Sequence, residues 1–292
     1  MLPRAISSVL RQDFADFQLV VVDDGSTDNT KEVLGAFADP RLCYSRLSEN
    51  MGMFAARKRG LDLTKGDYVC FLDDDDELLP GALRTTVESL DRLSPMGVKM
   101  IWFDCVDAVT GRPYGSGLTQ GFVSYEGFLC ARGDFWGARD TRLGRERLLG
   151  IQSMLKLHRE VKAYYFPKAL YLVHKDHPSL SYDPRSWVRN KDSYVLRIRE
   201  FLDDYGYDAE RLCPEVYAKK LANLGLYLGL SGKKLEGFRA VLKSLKCVRS
   251  VWVVILLVLI IVLPVGSLEG LWLRYYYLRP SARRKRSQWS ID

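Results

Sequence analysis

The chain has no closely spaced pair of cysteines. Its six, Cys43, Cys70, Cys105, Cys130, Cys213 and Cys247, are scattered singly. That argues against a zinc site and against a disulfide framework, and it fits a reducing compartment. No charged-then-apolar leader opens the sequence, so no secretory signal is expected. No internal repeat is visible, and no glycine-rich phosphate loop of the nucleotidyltransferase kind. Long apolar runs are scarce too. The longest, Val251 to Leu263, is shorter than the ~20 residues that a membrane-spanning helix needs.

What is present is ample for a folded core. The 292 residues are 47% hydrophobic, and the net charge is +7. This length suits one large α/β domain, or one domain with an appendage. Charge is uneven. Acids gather in the first third; Lys and Arg gather after about residue 230 and at Arg283-Arg284-Lys285-Arg286.

Strand and helix patterns alternate. Leu2, Ala5, Ile6, Val9 and Leu10 predict a helix over residues 3–11. Phe17 to Val22 reads as a buried strand ending in Asp23-Asp24-Gly25-Ser26. Residues 42–47 form a second strand, and 54–63 a helix carrying Arg57. Residues 67–72 are a third strand, 80–93 a helix, and 99–106 a further strand. This alternation predicts a mostly parallel, doubly wound sheet. Thr110 to Trp136 reads as loops with a short helix near Tyr125. Residues 143–157 read as a helix. Residues 164–166 and 170–173 are expected as two short strands around Pro167. Helices follow at 187–202, 214–230 and 233–246.

The most informative stretch is Asp73-Asp74-Asp75-Asp76-Glu77, directly after an apolar strand. Neighbouring carboxylates repel one another, so holding five acids together calls for a divalent cation. The alternative is a solvated acidic loop capping the next helix. If the extended geometry persists, Asp73 and Asp75 share one side and Asp74 the other.

Three stretches then align: Leu19 to Thr30 with Asp23-Asp24-Gly25-Ser26, Asn50-Met51-Gly52 to Gly60, and Gly66-Asp67-Tyr68 to Pro80. In this order they resemble the catalytic domain of family-2 glycosyltransferases over about residues 2–110. The resemblance implies a GT-A (Rossmann-like) α/β fold: a mostly parallel sheet flanked by helices, with a helical C-terminal extension. It also implies a nucleotide-sugar donor, a saccharide or lipid-linked acceptor, and inversion in one displacement. By resemblance, Asp23, Asp24, Arg57, Asp73 and Asp74 bind the nucleotide. Asp73 and Asp75 hold Mn2+ or Mg2+. His174 stands in a late loop near the diphosphate. In relatives the base is the Asp of a Glu-Asp pair. Here Glu146 matches the Glu, and Arg147 stands where the Asp is expected. Glu146 or Asp140 is then the base, or the activity is altered or lost. Relatives also begin with a strand that this sequence lacks ahead of its first helix.

The organisation expected is a glycosyltransferase-like domain over residues 1–182, a helical extension over 183–247, and an apolar segment with a basic tail over 248–292. Basic residues flank the apolar run on both sides, at Lys243, Lys246, Arg249, Arg274 and Arg279. That pattern places the chain on the cytoplasmic face of the cell membrane through residues 248–286, peripheral or monotopic, with a single span left open. No nucleic-acid partner is expected. The alternative function is a catalytically impaired or truncated relative that acts as a membrane-associated binding or scaffold protein.

Overall fold

A computed structural model describes residues 1–114, 120–124, 135–141, 158–174, 188–248 and 251–278. The chain divides into two compact units, Met1–His174 and Lys175–Asp292.

The first unit opens with α1 (Leu2–Leu10), which buries Ala5, Ile6 and Val9. Two polar side chains stitch it to a later segment. The Ser8 hydroxyl accepts the Leu78 N–H, and Gln12 bonds both the Leu79 carbonyl and the Leu83 N–H. β1 (Leu19–Asp23) and β2 (Leu42–Arg46) pair in parallel, with α2 (Thr30–Gly35) between them. α3 (Met53–Leu63) follows. A second sheet contains β3 (Tyr68–Cys70), β4 (Glu77–Leu78), β5 (Val98–Asp107), β6 (Gly121–Val123), β7 (Phe135–Asp140) and β8 (Lys162–Val173). Its order is β3-β7-β5-β8-β4, with β6 also on β8. α4 (Ala82–Leu93) packs its buried Leu90 and Leu93 into the core below β5 and β8, with Ile101, Phe103 and Leu170.

The α/β class and the flanking helices are as expected. The strand pairing is mixed instead of mostly parallel. β5 runs parallel to β8, but β7 inserts antiparallel between β3 and β5. The sequence around β6 and β7 has little periodicity and reads as loop. Non-local pairing, and not local pattern, makes those residues strands. Gly137 shows the fit: a Cβ there would sit 2.1 Å from the Ile101 carbonyl.

Pro167 does not divide β8. The register against β5 jumps from Phe103–Phe166 to Asp104–Ala169, so an irregularity absorbs a residue that cannot donate to a ladder. At the other end of the chain order, β1 finds a strand partner on one side only among the described residues. Leu19 to Val22 are accordingly only half-buried although every one is apolar.

The second unit is helical: α5 (Lys191–Leu212), α6 (Pro214–Leu230), α7 (Lys234–Cys247), α8 (Val251–Val262) and α9 (Val265–Leu278). α6 and α7 cross closely at Gly225 and Gly237. A Cβ on either would lie 2.7 Å from the other's carbonyl oxygen. Ile260 of α8 and Leu268 of α9 are buried in a cluster with Leu226, Leu228 and Leu230 of α6. Among the described residues no helix is long and apolar enough to cross a membrane, so the single span left open by the sequence has no support. Pro264 is the reason, since it breaks the apolar run into two helices.

Among the described cysteines, Cys43, Cys70, Cys105 and Cys247 are free thiols, whereas Cys213 is disulfide-bonded.

Candidate functional site

β1 ends at Asp23, which is 4% exposed. Its Oδ1 accepts the Ser26 N–H at 2.7 Å. Its Oδ2 accepts the Tyr44 hydroxyl at 2.8 Å and the Arg46 guanidinium at 3.2 Å. Burial alone pushes this carboxyl up, but Ser26, Tyr44 and Arg46 outweigh it and hold Asp23 below the ordinary carboxylate value. Parallel register sets Arg46 opposite Asp23, and Tyr44 lies two residues earlier on the same strand face.

Asp24 does a different job. Its two oxygens accept the backbone N–H groups of Met51 and Gly52 at 2.7 and 2.8 Å. This fixes the turn that starts α3. Gly25 makes the close approach possible: its φ is +74°, and a Cβ there would meet the Glu49 carbonyl carbon at 2.6 Å. The two motifs after β1 and before α3 therefore form one packed loop pair.

α3 in turn aims Arg57 at the acidic stretch. The Arg57 guanidinium bonds Asp73 at 3.1 Å and lies 5.3 Å from the Phe71 ring centroid. Arg139 of β7 approaches the same ring at 5.1 Å. It is buried, and burial with the neighbouring Arg57 charge pulls its pKa down to about 10.

The acids do not continue the strand. β3 stops at Cys70, and the Asp76 N–H donates to the Asp73 carbonyl at 3.2 Å, closing a turn. Asp73, Asp75 and Asp76 thereby bring carboxylate oxygens within 4.8 Å of one another, while Asp74 stays exposed outside the group. The extended arrangement is thus replaced by a turn, and a third acid joins the expected pair. Asp76 is 6% exposed. Its oxygens accept the Tyr171 hydroxyl at 2.8 Å and the His174 N–H at 2.9 Å. Burial, opposed by those two bonds and reinforced by the charges of Asp75 and Asp73, raises its pKa to about 6. Tyr171 also accepts the Asp73 N–H, so one side chain of β8 holds both ends of the turn. An all-carboxylate set crowded in this way suits a hard divalent cation.

The remaining expected residues fall elsewhere. The His174 ring is 2.7 Å from Glu77, and Arg4 of α1 also reaches Glu77 at 3.4 Å. These contacts brace the segment after the acidic turn. Asp140 lies opposite Tyr68 in the β3–β7 register. Five residues, or roughly 15 Å of chain, separate Tyr68 from Asp73. β7 runs antiparallel to β3, so Asp140 pairs at the end of β3 away from Cys70. Glu146 and Arg147 lie outside the described residues.

Sequence reasoning missed Tyr44, Arg46, Arg139 and Tyr171, and gave Asp76 no role. Alternation along β2 carries a signal for the first two. Arg139 and Tyr171 are joined to the site only by long-range pairing.

The sequence model of "Glycosyl transferase family 2" matches residues 1–148. A GalNAc(5)-diNAcBac-PP-undecaprenol beta-1,3-glucosyltransferase of Campylobacter jejuni is 33% identical over 187 residues, covering 58% of this chain and 59% of that protein. A putative colanic acid biosynthesis glycosyl transferase, WcaA of Escherichia coli, is 40% identical over 82 residues, 27% of this chain and 29% of that one. The matches thus span less than two thirds of these relatives. Among solved structures, TarS residues 1–349 of S. aureus aligns with a TM-score of 0.53 at 17% identity, over 100% of this chain and 89% of that one. A Pyrobaculum calidifontis mannosyltransferase, in complex with GDP-Man and Mn2+, aligns with a TM-score of 0.54 at 16% identity, over 98% and 79%. At such identities the likeness is one of fold.

Proposed function

The chain belongs to glycosyl transferase family 2, and from that premise we propose that it moves a sugar from a nucleotide-sugar donor, of the UDP-sugar type, to a saccharide or lipid-linked acceptor. The transfer is a single displacement with inversion. The observation that carries this reading is the group of Asp73, Asp75 and Asp76 beside Arg57, which is carried by the helix whose first turn Asp24 locks.

Each residue then has a task. Asp73, Asp75 and Asp76 would hold Mn2+ or Mg2+, which when bound supplies Lewis-acid stabilisation of the departing diphosphate. Tyr171 keeps the turn closed by bonding Asp76 and Asp73. Arg57 offers a guanidinium to the base or the diphosphate; both are acceptors that a planar cation suits. Asp23 sits behind Tyr44 and Arg46 and anchors the nucleoside end, and Asp24 fixes the turn that starts α3. Asp74, exposed beside the turn, is assigned to the nucleotide, and His174, which follows β8, to the diphosphate. Glu146, or Asp140 at the end of β7, is assigned as the base that takes the acceptor hydroxyl proton. The acceptor belongs to cell-surface polysaccharide or glycoconjugate synthesis, in line with the lipid-linked glycan and colanic acid syntheses for which the Campylobacter jejuni and Escherichia coli relatives are named. The chain works at the cytoplasmic face of the membrane, peripheral or monotopic.

A second reading is a catalytically impaired relative that binds or scaffolds. Arg147 in place of an acid favours it. Calorimetric titration of UDP with and without manganese, on the wild type and on Asp75→Ala, tests the nucleotide and metal site. Metal-dependent binding that the substitution abolishes is the expected result. Binding indifferent to both would remove the proposal. Turnover of a UDP-sugar that disappears in Glu146→Gln would separate the enzyme from the scaffold.

A further inference from the structure

α8 consists of apolar residues throughout its length. Its inner side packs on α6 through Ile260. Its outer side is Val254, Ile255, Val258 and Val262, each between 41% and 68% exposed. At 100° per residue these four fall within an arc of about 100°. A helix on the surface of a globular unit turns charged or polar residues outward; an all-round apolar helix belongs in a core or in lipid. Here the inner half is core, and the outer half faces out bare. α9 adds an exposed Leu271 and, three residues on, the exposed Arg274.

The break between the helices is built into the structure. Lys234 donates to the Leu263 carbonyl at 2.7 Å, satisfying a group at the end of α8 that the Pro264 break leaves without a helical donor. The pair is therefore held as two short helices. α8 alone rises about 18 Å, against a hydrocarbon core of about 30 Å. Such a helix lies along an interface and does not cross it. The surroundings give the sign of the surface. The last turn of α7 exposes Leu242, Lys243 and Lys246. From Lys243 to the end of the sequence only Glu269 and Asp292 are acidic, against Arg249, Arg274, Arg279 and the run Arg283 to Arg286.

We propose that the outer faces of α8 and α9, with the basic end of α7, form a seat for an anionic lipid bilayer, in which the two helices lie in the headgroup plane. This rests on the membrane-side reading given above and names the residues that make it. Apolar area gives depth, about 5–10 Å, and the basic residues select negative lipid.

The test is flotation of the full chain with vesicles of phosphatidylcholine alone and of phosphatidylcholine with phosphatidylglycerol. The chain should float with the anionic vesicles and lose partition at high salt. V254Q/I255Q/V258Q/V262Q, all at exposed positions, should lower that partition at least about tenfold. Its circular dichroism and its UDP–manganese binding should stay unchanged. A dye on Val262→Cys reads the same contact with a single exposed change, and a blue shift with anionic vesicles supports the seat. An unshifted dye, or a quadruple variant that floats like the wild type, overturns it. So does a wild type that ignores vesicles but is a dimer which the four changes make monomeric, since the face is then a contact between copies. UDP binding is read on the same samples. A chain that floats without binding UDP–manganese supports the seat and counts against the catalytic reading.

Discussion

His158 accepts the Trp102 indole N–H at 3.1 Å and is 5% exposed, so it is held as the neutral ring. Burial pulls its pKa down to about 4. An unfolded chain protonates the same ring near 6.5. Its contribution to stability is complete above pH 6.5 and is lost as pH falls through 4, because protons then favour the unfolded state. The difference amounts to about 3 kcal/mol across that window. Urea unfolding at pH 7.5 and pH 4.5 should show the wild type losing more stability on acidification than His158→Asn, by about that order. Equal losses would show that the ring is protonated in the fold. Residues of this kind mark the limit of reading a sequence. Asp73 and Asp75 are legible because they are neighbours in the chain. Tyr171, which holds their turn shut, is almost a hundred residues away, and nothing local distinguishes it from any strand tyrosine.

Elements were legible where local pattern and tertiary role agree. α1, β1, β2, α3, α4 and α6 fall within a residue or two of the expected bounds, since apolar runs and the turn residues between them mark their ends. β7 shows why others were not: Phe-Trp-Gly-Ala-Arg-Asp has no alternation that separates strand from loop, and pairing on both edges decides it. β3 is shorter than expected because mutual repulsion and the turn bond of Asp76 end it early. Crossings between elements are equally hidden. At Gly225 a Cβ would lie 2.3 Å from the Val241 side chain and 2.7 Å from the Gly237 carbonyl. Alanine in a helix gains about 0.5–1 kcal/mol over glycine, but overpacking costs about 1–3 kcal/mol. The clash should win. Gly225→Ala is expected to lower the melting temperature, and Gly232→Ala, at a turn with no neighbour to strike, serves as the comparison for φ strain alone. An unchanged or raised melting temperature for Gly225→Ala would mean that the two helices separate freely.

At the scale of the whole molecule the two units carry opposite chemistry. The first collects carboxylates around a turn fit for a cation; the second collects bare apolar surface and positive charge. Each has its own core, around Ile101 and Phe103 in one and around Leu228 and Ile260 in the other. Ligands should report this division. Manganese with UDP, present at a hundredfold excess over its dissociation constant, stabilises whatever binds it by about 2.7 kcal/mol. Monitored by hydrogen exchange, the slowing should concentrate in the acidic turn and in the loops after β1 and before α3. Anionic vesicles should instead slow exchange in α8 and α9. Protection spread evenly over both units by either ligand would contradict the assignment of separate tasks.

The Asp24 clamp has a bearing on how variants of this chain are scored. Asparagine is usually counted the mildest replacement for aspartate, being the same size and shape. At this position both oxygens face a backbone N–H. Asparagine keeps one acceptor and turns a second donor toward the other amide. A substitution table would pass the change as silent, while the turn it opens is the one that starts α3 and aims Arg57. Glycine at the neighbouring position 25 is likewise irreplaceable for reasons no similarity score contains.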